Sequence, residues 1–460
     1  MKHYVRFIVL MIFLSGCVTA PVSTPFVVTD VTQIPILTTP TAPTATITPP
    51  SLTITPPNST PTFVSVSLPD DLVVAYVLKN ELWVWKQDQL QLITQQKHMS
   101  TPILSYDGQW ILFRIRHIPM DGFVTHTSDE LWVVRTDGSE LSRLVGSDEL
   151  MTITGKKVLI DYFDWLPGSL EILFNNEELI EGPPGSRSLF DLFTVDLNGQ
   201  ITQLLESGDA GRFTSSPDGM HVALATGSKI KVFNLESGKQ ETLLEFEPVK
   251  IPIDGGPRPP KVVWDPHGRF LLTSILPQNL YYSDLYAGEP EQVWRLFIDG
   301  QVELIAQLQP VSPNHAGISV SPNLQYFFYL NGSCSDAMGM LTVYHIESGE
   351  EYPLTCVWNL PRWLPDNEHF MYKLGIGPWQ IGSISNNTYQ PLDILNFPTD
   401  PDAYASMQLT WINKELFLFV IGSGDICMLN VATLQGIVTE FTRTPRDTWD
   451  ICPSSLTNKN

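Results

Sequence analysis

The sequence predicts an all-β fold: a β-propeller of about eight four-stranded blades, or seven if one weak unit does not close. Three observations carry this. Apolar stretches of five to seven residues alternate with Gly, Pro, Asp and Ser turns along most of the chain. A tight entering turn and a third-strand pattern each recur eight times, at a period of roughly 40 to 60 residues. A lone four-stranded meander leaves two apolar faces uncovered, so each unit needs neighbours to stack on, and a ring supplies them.

The clearest unit is "FTSSPDGMHVALATGSKIKVFNLESGKQETLLEF", residues 213–246. A short strand enters the turn "SPDG", "MHVALAT" leaves it, "IKVFNL" follows a small loop, and "QETLLEF" closes the meander. The entering turn returns as "SLPDD", "SYDG", "WLPG", "WDPHG", "SPNL", "WLPDN" and "WINK". The third strand returns as "ELWVW", "ELWVVRTDG", "LFTVDLNG", "WRLFIDG", "LTVYHIESG", "IGSISNN" and "ICMLNVATLQG". Trp165, Trp264, Trp363 and Trp411 share one place, the end of the first strand. A repeated position implies a repeated structural job, and packing between blades is the one expected. Asp107-Gly108 and Asp218-Gly219 suit tight hairpins, because both residue types tolerate positive φ.

"SSPDGMHVAL" and "LSYDGQWILF" resemble the PD40 or TolB-type repeat, a WD40-like blade, over about residues 63–441. Only the fourth unit keeps S-P-D-G intact, and the WD dipeptide is missing. The resemblance therefore implies the fold, and only by analogy a docking or scaffolding role. It extends to the propellers of prolyl oligopeptidases, where a separate hydrolase domain does the chemistry.

The N-terminus reads differently. "MKHYVRFIVLMIFLSGC" has a basic start and an apolar core too short to span a bilayer, the pattern of a signal peptide over 1–16. Leu14-Ser15-Gly16-Cys17 resembles the lipobox of bacterial lipoproteins, which implies lipidation at Cys17 and an extracytoplasmic, membrane-anchored protein of the cell envelope. The alternative is an ordinary secretion signal with a coincidental cysteine. After Cys17, Thr and Pro make up 24 of residues 18–62, and Asp30 is the only charge there. Such a segment buries no core and reads as an extended linker, with a reach of roughly 140 Å at 3.1 Å per residue. The propeller domain, ending in a C-terminal tail, is expected over 63–460.

Net charge is −22, and loss of Lys2 and Arg6 with the leader takes it to −24. An acidic surface repels nucleic acid and anionic head groups, and it also serves solubility. Beyond Cys17 there are four cysteines, an even set in an exported domain, which favours disulfides over metal ligation. We expect neighbour pairing, Cys334 with Cys356 and Cys427 with Cys452, among the three connectivities that four cysteines allow.

Binding is expected on the face where second-to-third-strand connections meet the connections between blades. Four of the former are long: "RHIPMDGFVTHTSDE", "NNEELIEGPPGSRS", "LPQNLYYSDLYAGEPEQ" and "NGSCSDAMG". The blade-five insert holds Tyr281, Tyr282, Asp284 and Tyr286, which either contact a partner or pin the insert to the rim. Arg258 between prolines, Asp121 and Phe123 in blade two, and Glu178 in blade three complete the candidate face. His117 and His126 flank the blade-two insert that holds Asp121, a weak metal pattern that exposed loop histidines explain better. No cofactor is implied, and G-x-S-x-G, H-E-x-x-H and G-x-x-x-x-G-K are all absent. The leading expectation is a non-enzymatic binding module or scaffold for a protein or peptide. The alternative is a surface carbohydrate-binding protein or glycosidase, needing two carboxylates roughly 5 to 10 Å apart among Asp284, Asp121 and Glu178.

Overall fold

The computed structural model describes residues 68–459 apart from 79, 88, 119–126, 180–185, 207, 249–258, 278–288, 310–316, 333, 335–338, 358–359, 374–378, 386–387, 392–407, 424–425, 434–437 and 446–455. Residues Phe63–Asn460 form one compact unit. Its strands make eight antiparallel four-stranded sheets, one per repeat, in an eight-bladed β-propeller.

The second strand of blade four shows why the pattern becomes a blade. His221–Ala225 is apolar almost throughout because both of its faces are covered. Val222 and Leu224 pack against blade three with Leu173 and Leu192, while Ala223 and Ala225 pack against blade five with Trp264 and Leu271. The same alternation fills the seams between blades one and two, two and three, five and six, and six and seven.

The repeated tryptophans link neighbouring innermost strands. Nε1 of Trp165 donates to the Ile103 carbonyl of blade two at 3.0 Å, Trp264 to Thr214 of blade four at 2.9 Å, and Trp363 to Ser319 of blade six at 2.9 Å. Trp411 packs edge-on to Phe417 with ring centroids 5.1 Å apart. The packing role between blades expected of this position holds for Trp165, Trp264 and Trp363, whereas the Trp411–Phe417 contact lies within blade eight.

Imperfect copies of the entering turn converge on one geometry. In blade four, Ser216 Oγ accepts the His221 N–H at 2.9 Å, and Asp218 Oδ1 accepts the Met220 N–H at 2.9 Å. In blade five Asp265 Oδ2 accepts the His267 and Arg269 N–H groups, Ser321 and Asn323 share the two roles in blade six, and Asp366 supplies both in blade seven. Any short side-chain acceptor at these places satisfies the backbone donors that the turn strands. The glycine is less negotiable. Gly219 has φ +70°, and a Cβ there would sit 2.2 Å from the Pro167 carbonyl of the blade-three turn.

Ring closure departs from the expected tail. Leu456–Lys459 pairs antiparallel with Val73–Leu78, Val73 opposite Lys459 and Tyr76 opposite Leu456, and so becomes the innermost strand of blade one. Leu72, Val74 and Tyr76 of that blade pack on Ile412, Leu416 and Leu418 of blade eight, which seals the ring. One helix, Ser147–Thr154, joins blades two and three and places Leu150 in their shared core. It ends on Gly155 in the left-handed region at φ 68°.

Candidate binding face

Strand order divides the propeller into two ends. The Ser-Pro-Asp-Gly-type turns and the third-to-fourth-strand turns lie at one, and the long connections and blade-to-blade crossings at the other, here called the loop face. The expected grouping of the inserts on one face follows directly from this order.

At the loop face, blades two and three are joined by a buried polar node. The blade-two hairpin, Trp110–His117 and Ser128–Arg135, sets Arg116 opposite Asp129. Nε and Nη2 of Arg116 donate to the two oxygens of Asp129, each at 2.8 Å. Asp129 is wholly buried, and its Oδ2 also accepts the N–H of Ile160 in the first strand of blade three at 3.1 Å. Ser147, at the start of the helix, accepts the Asp129 N–H and donates back to its carbonyl. The hydrogen bond to Asp129 raises the Arg116 pKa above its usual value, which keeps the guanidinium charged. Hairpin, helix and next blade are thereby locked together.

Blade three continues the scaffold. Asn176 Nδ2 donates to Asp191 at 2.7 Å, and burial pushes the Asp191 carboxyl up. Asn175 bridges the Gly211 carbonyl and the Tyr162 N–H, tying blade three to the crossing into blade four. In blade five, burial raises the Glu291 carboxyl, whose Oε2 accepts the Gly317 N–H at 3.0 Å. Ile118, just past the strand ending at His117, and Met151 and Ile153 on the helix are exposed, at 57, 56 and 40 %. Two of them project from the helix, a rigid element rather than a mobile loop.

The opposite end holds a larger pocket of about 600 Å³ between blades one and two, lined by Asp70, Asp71, Asp107 and Asp137 with Lys86 and Arg135. Two of its carboxylates have structural work. Asp107 holds the Ser105 turn, and Asp137 accepts both the N–H and Oγ of Ser139 at 2.9 and 2.6 Å. The loop end is the candidate face.

Of the residues singled out from sequence, Glu178 stands at the loop end of its strand, with Lys156 Nζ 3.7 Å from its carboxylate. His117 meets Glu130 at 3.2 Å. Cys334 and Cys356 form the expected disulfide, which pins the blade-six connection to its outer strand. Cys427 lies on the third strand of blade eight, opposite Gly422. Cys17, Asp121, Phe123, His126, Arg258, Tyr281, Tyr282, Asp284, Tyr286 and Cys452 lie outside the described residues, as do 1–67. No group of three or more His, Cys, Asp or Glu side chains with metal-holding geometry occurs among the described residues. None of the described helices is long and apolar enough to cross a membrane, which says nothing of strands.

Sequence reading missed the Arg116–Asp129 node and the helix. Both had signals. Arg116 and Asp129 bracket the blade-two insert in register, and "SDEL" places Asp148 and Glu149 in a helical first turn.

No protein-family profile matches the chain, and no curated protein matches it. Among solved structures it is similar to a eukaryotic initiation factor at 12% identity and a TM-score of 0.49, covering 84% of this chain and 91% of that one. The dihydro-heme d1 dehydrogenase NirN matches at 11% identity and 0.49, over 84% and 75%. TolB from Acinetobacter baumannii matches at 12% and 0.32, over 76% and 83%. These likenesses span enzymes and non-enzymes, and with every TM-score below 0.5 they carry no argument about this chain, whose eight-bladed β-propeller is read from its own eight sheets.

Proposed function

We propose that the protein is a lipid-anchored, extracytoplasmic scaffold that binds a protein or peptide partner on its loop face. The observation that carries this is the exposure of Ile118, Met151 and Ile153 at elements held by the Arg116–Asp129–Ile160 node. Apolar groups on a preorganised support lose little freedom when a partner covers them. Their setting in a chain of net charge −22 favours a partner with a basic rim. Tyr281, Tyr282, Asp284, Tyr286, Arg258, Asp121, Phe123 and Glu178 are proposed to extend the contact surface. Cys17 carries the lipid, residues 18–62 hold the propeller clear of the membrane, and 63–460 forms the binding domain.

The test is a cross-linking pull-down from solubilised envelope with residues 63–460 as bait. Two further baits carry Tyr281, Tyr282 and Tyr286 changed to Ala, or Met151→Glu with Ile153→Glu. One stoichiometric protein held by the first bait and lost by either variant supports the reading. No protein above background removes it and makes glycan binding or hydrolysis the next assay. The anchor is tested separately: labelled palmitate must enter the full chain and be lost in Cys17→Ser.

A further inference from the structure

Blade four presents a pocket of about 330 Å³ at the loop face, lined by Asp209, Thr226, Ser228, Lys229 and Lys231 among others. Lys231 belongs to the third strand, Lys229–Asn234. Its neighbours Ile230 and Val232 pack toward blade five, whereas Phe233 packs toward blade three. The pleat therefore sets Lys231 on the blade-three side, in the seam between blades. Its side chain is only 10% exposed. Among the described residues Nζ donates to Asp209, the carbonyl at 3.3 Å and Oδ1 at 3.1 Å. Asp209 is a poor lock, because its own side chain is 58% exposed. Such an exposed carboxylate binds a cation weakly and exchanges readily. Lys229 is likewise paired with an exposed group, Glu245, at 2.7 Å.

The seam thus holds a fixed ammonium whose counter-ion sits in solvent. An ammonium has three N–H donors, more than Asp209 saturates. We propose that this pocket is a carboxylate subsite with Lys231 as its anchor, and that it takes the C-terminal carboxylate of the peptide partner. The inference rests on the peptide-docking reading for the source of the carboxylate. A carboxylate is favoured over a phosphate because the pocket already seats one, from Asp209. An incoming carboxylate displaces Asp209 from the ammonium, a one-for-one exchange of single negative charges that a doubly charged phosphate would not balance.

The experiment uses the full chain and two probes: a pool of N-acetylated tetrapeptides of random sequence, as free acids and as amides, and N-acetylglycine. Binding is read by competition and by the 15Nζ resonance of Lys231. Free acids are expected to bind at least about tenfold tighter than amides. Lys231→Met should erase that difference while leaving amide binding unchanged. Asp209→Asn, which removes the internal competitor and leaves the lysine in place, should tighten acid binding severalfold. It keeps the test open should Lys231→Met fail to fold. N-acetylglycine binding as tightly as the peptide acids would keep the subsite and replace the peptide source by a small free carboxylate. Equal binding of acids and amides overturns the subsite but leaves loop-face docking standing. If neither probe moves the Lys231 resonance, the subsite is overturned, and the pull-down alone decides the docking reading.

Discussion

Asp129→Ala is the sharpest probe of the loop-face scaffold, since it removes one acceptor from three donors. Ile160 is fully buried, so its stranded N–H costs about 1–3 kcal/mol. The Arg116 share is smaller. Its side chain is 31% exposed, and Glu177 lies 3.7 Å from its guanidinium. Water and that carboxylate reduce the loss from the 3–5 kcal/mol of a sealed ion pair to about 1 kcal/mol. The sum is about 3 kcal/mol. Urea unfolding followed by near-UV signal and by Trp fluorescence measures it, with coincidence of the two probes checking that one transition is being read. Arg116→Met completes a double-mutant cycle, and a coupling of about 1 kcal/mol is expected. Effects that add within about 0.5 kcal/mol, or an Asp129→Ala cost below that value, would refute the claim that this node clamps blade two to blade three.

Three further outcomes follow from the geometry. Deleting residues 456–460 strips the innermost strand from blade one and bares the Val73–Leu78 edge, so gel filtration should show oligomers and thermal unfolding should lose its sharpness. Trp264→Phe keeps a ring but forfeits the bond to Thr214, at a cost of about 1 kcal/mol in urea unfolding; no change would remove the hydrogen bond from the inter-blade account. Glu291→Gln tests a carboxyl whose folded-state pKa is raised above 4.5 by burial. The folded form then holds its proton more tightly than the unfolded chain, so stability falls as pH rises from about 4.5 through the folded value. The variant should match wild type in melting temperature at pH 4 and exceed it at pH 8, and an equal gain at both would reject the titration argument.

How much was legible in the sequence varied with how local each signal is. Tryptophan at the end of the first strand and the Ser-Asp-Gly turns are local, and they read correctly even where degenerate, because Asp366 alone does the work of Ser216 and Asp218, and Asp265 holds the Arg269 N–H as Asp218 holds that of Met220. The pairing of Cys334 with Cys356 was legible for the same reason, since it closes a short loop. The closing strand was not. "LTNK" has no apolar alternation, and only its distant partner Val73–Leu78 makes it a strand. The long inserts of blades two and three were read as loops, whereas part of each is hairpin: strand structure runs to His117 and Leu179 and resumes at Ser128 and Ser186. Of the candidate face, Glu178 was named on position alone, and its partner Lys156 comes from a blade crossing that no linear pattern connects to it. Lys231 escaped notice because it sits inside an apolar strand, where one charge reads as an exposed position; burial in a seam cannot be read from that strand by itself.

The borrowed strand of blade one also sets a timetable. Val73–Leu78 emerges early, yet its partner Leu456–Lys459 arrives roughly 380 residues later. Until then an N-terminal blade with an unpaired edge must wait beside seven others that finish in turn, open to strands from any neighbouring chain. The loop between partner strands is nearly the whole domain, so closure is the slowest contact to find and the last to be made. By loop-closure entropy, release from that waiting state is expected to be slower than the assembly of any single blade.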